Sequence, residues 1–157
     1  MSDLYDAAAL AGLEADIDRW LVTFAASTPT VRAVDRIDGD ERRWFVRMVG
    51  EEKDVTTVWI TLGQRTLRYE TYVMPAPEEN AAELYEHLLR RNERLVGAHF
   101  SIGIEDAVFL RGELPLAALD EGELDRAVGT LYATVELCFP SLLRLGFATR
   151  FGRRAEP

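Results

Sequence analysis

The chain has 157 residues, 48% of them hydrophobic, and a formal net charge of -9 from 18 basic and 27 acidic side chains. That length suits one domain, able to bury roughly 70% of its unfolded surface without a metal or a disulfide. The acidity argues against a surface that neutralises nucleic-acid phosphates or anionic lipid, and one cysteine, Cys138, excludes an intramolecular disulfide.

Met1-Ser2-Asp3-Leu4-Tyr5-Asp6 has neither the basic nor the apolar region of a signal peptide. No apolar run approaches the ~20 residues that span a bilayer. The expectation is a soluble, cytoplasmic protein. A single α+β domain is expected over 1–152, with 153–157 a disordered tail.

The first element is a helix. Leu10, Leu13, Ile17, Leu21 and Phe24 recur at three- and four-residue spacing with Trp20 beside them, while Glu14, Asp16, Asp18 and Arg19 lie off the stripe. Ser27-Thr28-Pro29 ends it, because the residue before proline avoids helical angles. Four strands follow: Val31 to Ile37, Arg43 to Val49, Val55 to Leu62 and Thr66 to Met74. They are separated by Asp38-Gly39-Asp40, a charged loop Gly50–Asp54 and Gly63-Gln64-Arg65, and closed by Pro75-Ala76-Pro77. Connections this short imply an antiparallel meander.

A second helix starts near Asn80, with Glu83 as a capping partner, and ends at Gly97. A hairpin of Phe100 to Ile104 and Ala107 to Leu114 comes next. Asp120-Glu121-Gly122-Glu123 resembles a capping box and opens a helix whose stripe is Leu124, Val128, Leu131, Val135 and Cys138. Pro140 is expected to kink or end it. Helices and strands come in blocks, which predicts an α+β fold, an antiparallel sheet with helices packed on one face, in the order α-β-β-β-β-α-β-β-α.

The strand pattern sorts side chains by face. Trp44, Val46 and Met48, then Val58, Ile60 and Leu62, then Leu67, Tyr69, Thr71 and Val73 form the more apolar set and should meet the helices. The opposite face would carry Phe45, Arg47, Trp59, Arg68 and Tyr72. Aromatic side chains and arginine are enriched at protein interfaces, so these five are the candidate partner-binding residues. They could equally cover one another across the strands.

Little in the chain suggests chemistry. His87, between Glu83 and Arg91 on a helix, and His99, at a strand start, form no metal-ligand motif. Cys138 continues an apolar stripe and reads as a core thiol. There is no phosphate-cradling glycine loop and no Gly-x-Ser-x-Gly elbow. The paired acids Glu51-Glu52, Glu78-Glu79 and Glu121/Glu123 fall in loops or helix starts, where solvation and the helix dipole explain them. Arg90-Arg91-Asn92-Glu93-Arg94 is a solvated helix face that could receive an acidic segment of a partner. No catalytic, cofactor or metal site is expected.

The segment Leu88-Leu89-Arg90-Arg91-Asn92-Glu93-Arg94-Leu95-Val96-Gly97-Ala98-His99-Phe100-Ser101-Ile102 resembles the helix-to-strand passage of the YbjN-type domain. So do Val108-Phe109-Leu110-Arg111 and Phe139-Pro140-Ser141-Leu142-Leu143, and the resemblance covers about residues 10–145. One departure is Ala107, where the turn after Glu105-Asp106 usually has glycine. The family is described as bacterial sensory transduction regulators and is similar in fold to the type III secretion chaperones. The resemblance implies an acidic, dimeric α+β protein that binds a client protein, with no catalytic residues to carry over. The expected function is therefore a non-enzymatic regulatory or chaperone-like module, a homodimer with a protein client. The alternative is a small-molecule sensor with a pocket between the first helix and the sheet.

Overall fold

A carboxylate opens the first helix. Asp6 Oδ1 accepts from the Ala9 N–H at 2.8 Å, and α1 runs Ala7–Ser27. The computed structural model describes residues 4–151. The domain limits expected at 1 and 152 and the tail expected at 153–157 lie outside the described residues. After α1 come β1 (Val31–Ile37), β2 (Arg42–Val49), β3 (Val55–Leu62), β4 (Thr66–Met74), α2 (Ala81–Asn92), β5 (His99–Ile102), β6 (Val108–Pro115), α3 (Glu121–Gly146) and a short α4 (Ala148–Phe151).

The strands make one six-stranded sheet in the order β1-β2-β3-β4-β6-β5, every neighbouring pair antiparallel. The first four form the expected meander. The β5–β6 hairpin then returns with β6 against β4, leaving four-residue β5 on the edge.

The register lines the apolar positions up across the sheet. Trp44 stands opposite Ile60 and Ile60 opposite Tyr69, while Val46, Val58, Thr71 and Leu110 form the next row. All are buried, together with Met48, Leu62, Leu67 and Val73. Leu124, Val128, Leu131, Val135, Cys138 and Leu142 of α3 are each 0% exposed in the same core, and the buried stripe of α1 joins them. The helices thus cover one face of the sheet, as the strand alternation predicts. The Tyr69 ring packs against Gly112, where a Cβ would come 2.2 Å from it, and its hydroxyl donates to the Gly97 carbonyl at 2.6 Å. Only glycine admits the ring there.

Polar ties hold the elements in register. Arg36 binds Asp18 (Nη2–Oδ2 2.7 Å) and Glu14, Arg42 Nε binds Glu14 at 3.0 Å, and Trp44 Nε1 donates to Asp18 at 2.8 Å. Hydrogen bonds from Arg36 hold both carboxyls below their usual range. At the other end, the N–H groups of Glu51 and Glu52 donate to Glu136 of α3 at 3.0 and 2.9 Å. Glu136 comes so close that a Cβ on Gly50 would clash with it at 1.9 Å. In the same loop Lys53, the only lysine of the chain, sends its ammonium to the Tyr72 carbonyl at 2.6 Å, 5.3 Å from the Tyr72 ring and 5.7 Å from Phe139. Burial pushes its pKa down to about 8.

Several boundaries differ from expectation, each where a particular contact intervenes. The second helix stops at Asn92, not Gly97, because the Asn92 side chain turns to the Phe100 backbone (Phe100 N to Oδ1 2.6 Å, Nδ2 to Phe100 O 3.1 Å). Asn80 precedes that helix in a left-handed conformation, φ 53°, and gives its side chain to the Leu145 carbonyl instead of capping. The hairpin strand is His99–Ile102, and a single 3-10 turn fills Ile104–Asp106. The left-handed angles fall on Glu105 (φ 58°) and Asp106 (φ 57°), so Ala107, at φ -67°, needs no glycine. Pro140 does not end its helix, which continues to Gly146. Proline removes one backbone donor, but burial of Leu142, Gly146 and Phe147 beyond it holds the last turns in place.

Two outcomes test this packing. Leu131→Ala should destabilise the chain by about 2–5 kcal/mol in urea unfolding; a loss under ~1 kcal/mol would mean that α3 is not central to the core. Between about pH 8 and 10.5 the folded chain has released the Lys53 proton while the unfolded chain still holds it, so stability rises with pH. The Cys138 thiol, raised by burial, opposes this from about pH 9 in the native chain and in Lys53→Met alike, and the phenols of Tyr69, Tyr72 and Tyr132, also raised by burial, oppose it above about pH 10. The unfolding midpoint of the native chain should therefore gain on that of Lys53→Met from pH 8 to 10, and parallel curves would refute a desolvated Lys53.

Candidate protein-binding face

The pleat that buries one set of side chains turns the other set outward. Phe45 of β2 stands opposite Trp59 of β3, Trp59 opposite Glu70 of β4, and Glu70 opposite Arg111 of β6. One row along lie Arg43, Thr61, Arg68 and Glu113. On the other side of the aromatic row, Arg47 is paired with Thr57 and Tyr72 with Phe109. All five candidate residues, Phe45, Arg47, Trp59, Arg68 and Tyr72, therefore share the face away from the helices. Phe45, Trp59 and Tyr72 are half-buried; Arg47 and Arg68 are exposed.

These side chains also touch one another. The Arg47 guanidinium lies 5.4 Å from the Phe45 ring centre. Tyr72 and Phe109 meet edge to face at 5.7 Å, and Arg111 stacks on Phe109 at 4.4 Å. Arg68 faces Glu41 loosely, at 3.7 Å. Burial raises the Tyr72 phenol, with Glu105 nearby adding to it.

Strand alternation did not single out the middle of the face. There Glu70 binds two guanidiniums: Oε1 lies 3.3 Å from Arg43 Nη2 and Oε2 2.8 Å from Arg111 Nε. A concavity of about 500 Å³ opens over this group, lined also by Thr61, Arg68, His99 and Glu113. It lies on the side of the sheet opposite α1. The one clue available from sequence was charge at outward positions of neighbouring strands.

The residues weighed for chemistry lie apart. His87 is on α2, where it accepts from Arg91 Nε at 3.5 Å, while His99 is exposed on β5. Cys138 is fully buried on α3, and burial raises its thiol pKa. Among the described residues, no three His, Cys, Asp or Glu side chains are placed to hold one metal ion. No helix among them is long and apolar enough to cross a membrane.

Comparison with known proteins bears on this geometry. The uncharacterized protein Rv0487 of Mycobacterium tuberculosis is 34% identical over 109 residues, which are 69% of this chain and 60% of the relative. The uncharacterized protein ML2442 of Mycobacterium leprae is 33% identical over 105 residues, 67% of this chain and 57% of the relative. The chain thus spans about 60% of the length of the curated relatives it matches. Among solved structures, a chain of the ExsC–ExsE complex aligns with a TM-score of 0.58 at 19% identity, covering 83% of this chain and 96% of that one. A chain of the heterodimeric ExoU–SpcU complex from the type III secretion system of Pseudomonas aeruginosa is a fainter likeness, with a TM-score of 0.48, 16% identity and coverage of 79% and 95%. At 19% identity the likeness to the ExsC–ExsE chain is one of fold, and it agrees with the α+β fold expected from the sequence. The model of the YbjN family, described as "Putative bacterial sensory transduction regulator", matches residues 13–144, and the chain belongs to that family.

Proposed function

We propose that this protein is a non-enzymatic, cytoplasmic protein-binding module that regulates or escorts a partner, docking it on the uncovered sheet face around Phe45, Trp59 and Tyr72. One observation carries the reading. Three large aromatic side chains and two exposed arginines share a sheet face that no helix among the described residues covers. Such a mixture is what protein interfaces enrich. Six strands of 7, 8, 8, 9, 4 and 8 residues, spaced ~4.8 Å apart with a rise of ~3.3 Å per residue, make roughly 700 Å² of flat area. Side-chain relief and an adjoining helix edge would bring this toward the ~800 Å² per partner of a specific interface. The ExsC–ExsE neighbour is, by its name, a complex of two proteins, and this agrees with the reading.

Dimerisation is the finer half of the proposal. α2 and β5, tied together through Asn92 and Phe100, leave Leu89, Val96 and Ile102 exposed on or beside them. Apolar exposure of this kind suits contact with a second copy.

Affinity capture from native cells, paired with sedimentation, tests both halves. Trp59→Ala and the surface change Arg47→Glu should each lower recovery of the captured partner at least ten-fold while circular dichroism and the melting temperature hold. The reading fails if both variants retain the partner, or if the chain stays monomeric at high concentration and captures nothing.

A further inference from the structure

The charges of the docking face define what should dock there; this rests on the reading just proposed. β2 to β6 turn four arginines outward, Arg43, Arg47, Arg68 and Arg111, against two glutamates, Glu70 and Glu113, in a chain whose net charge is -9. Asp35 of β1, opposite Phe45, and Glu41, beside Arg68, offset that excess over the whole face, so the positive charge is local to one cluster. At its centre a single carboxylate, Glu70, serves both Arg43 (3.3 Å) and Arg111 (2.8 Å), so the triad keeps one positive charge. The three side chains are only 31%, 31% and 34% exposed.

Both guanidiniums are also partly spent. Arg43 Nε donates to Thr61 Oγ1 at 3.2 Å, and Arg111 Nη1 donates to Ser101 Oγ at 3.1 Å. Each still has N–H groups for an acceptor from outside. On the rim, Glu113 accepts from the Thr66 hydroxyl at 3.1 Å and Glu41 lies 3.7 Å from Arg68, so both carboxylates are engaged outside the triad. In the open face water solvates the spare charge. A docked partner expels that water, and an uncompensated charge is costly to bury. A partner that fits must bring its own negative charge to this spot. The neighbouring pairs Phe45–Trp59 and Tyr72–Phe109 would take apolar side chains on either side of it. Two copies meeting triad to triad would set arginine against arginine, which disfavours that occupant.

We infer that the face receives a segment of another protein that places an aspartate or glutamate carboxylate on the Arg43–Glu70–Arg111 triad, flanked by apolar side chains on the two aromatic pairs.

Selection from a random displayed-peptide library against the immobilised 157-residue chain tests this, with sedimentation of the same chain run in parallel. Selected peptides should be enriched in aspartate or glutamate beside apolar residues. Their affinity should fall at least ten-fold with Arg111→Gln, or when the peptide carboxylate is changed to its amide, and should rise with Glu70→Gln, which frees both guanidiniums. Peptides without acidic enrichment that still lose binding in Trp59→Ala would overturn the carboxylate inference and leave the docking face standing. If no peptide is selected, or the selected peptides ignore Trp59→Ala, the docking face falls and the inference with it. A stable dimer that hides Trp59 from every peptide would make a second copy the occupant, and the inference would be wrong.

Discussion

A pleated strand has only two faces, and here the long strands commit the same face to the same helices. The rows Trp44–Ile60–Tyr69 and Val46–Val58–Thr71–Leu110 are buried without a break across β2, β3, β4 and β6. Slipping any one of these strands by a residue would exchange Ile60 for Trp59, or Tyr69 for Glu70, and bring charge into the core. That constraint sets the remainder of the molecule. With one face sealed under α1, α2 and α3, every polar and aromatic residue of alternate position must find company on the other. It does so through cross-strand contacts: Arg47 on Phe45, Tyr72 against Phe109, Arg111 on Phe109, and Glu70 between two arginines.

The same face is held stiff from both ends. The Asp18 and Glu14 carboxylates of α1 grip Arg36, Arg42 and Trp44 of the first two strands. Glu136 of α3 gathers the backbone of the β2–β3 loop, and Tyr132 donates to the Val49 carbonyl at 2.7 Å. β2 and β3 are thereby fixed at their hairpin end, with the aromatic pair Phe45 and Trp59 between the two anchors. A preordered surface loses little freedom when a partner arrives, which favours binding with side chains already in place. Lys53 belongs to the second anchor: its ammonium and stem join the Tyr72 backbone to the Phe139 ring, connecting the open face to α3.

Periodicity made the architecture legible. Spacing of three and four gave the buried stripes of α1 and α3, and spacing of two sorted Trp44, Val46 and Met48 from Phe45, Arg47 and Val49. What periodicity could not give were contacts between residues distant along the chain. Arg43 and Arg111 reach Glu70 across separations of 27 and 41 residues, and the position of β6 between β4 and β5 has no local signature. Glu14 and Asp18, set aside in sequence as acids off the apolar stripe, are side chains that dock α1. Glu51 and Glu52 were solvated loop acids by pattern, yet their backbone N–H groups are the ones that bind Glu136. A tertiary partner prevails over the local rule at one end, where Asn92 stops its helix to hold Phe100; of the two outcomes open at Pro140, the helix does not end there but runs on where buried Leu142 and Phe147 keep it.

The most direct measurement is hydroxyl-radical footprinting of the chain, free and bound to its captured partner, read residue by residue. Phe45, Trp59 and Tyr72 should be labelled in the free chain and protected in the complex, while exposed Val22 on α1 reacts equally in both. Protection confined to the helices, with the three aromatic side chains equally reactive in both states, would contradict the central claim that the uncovered sheet face is the binding surface.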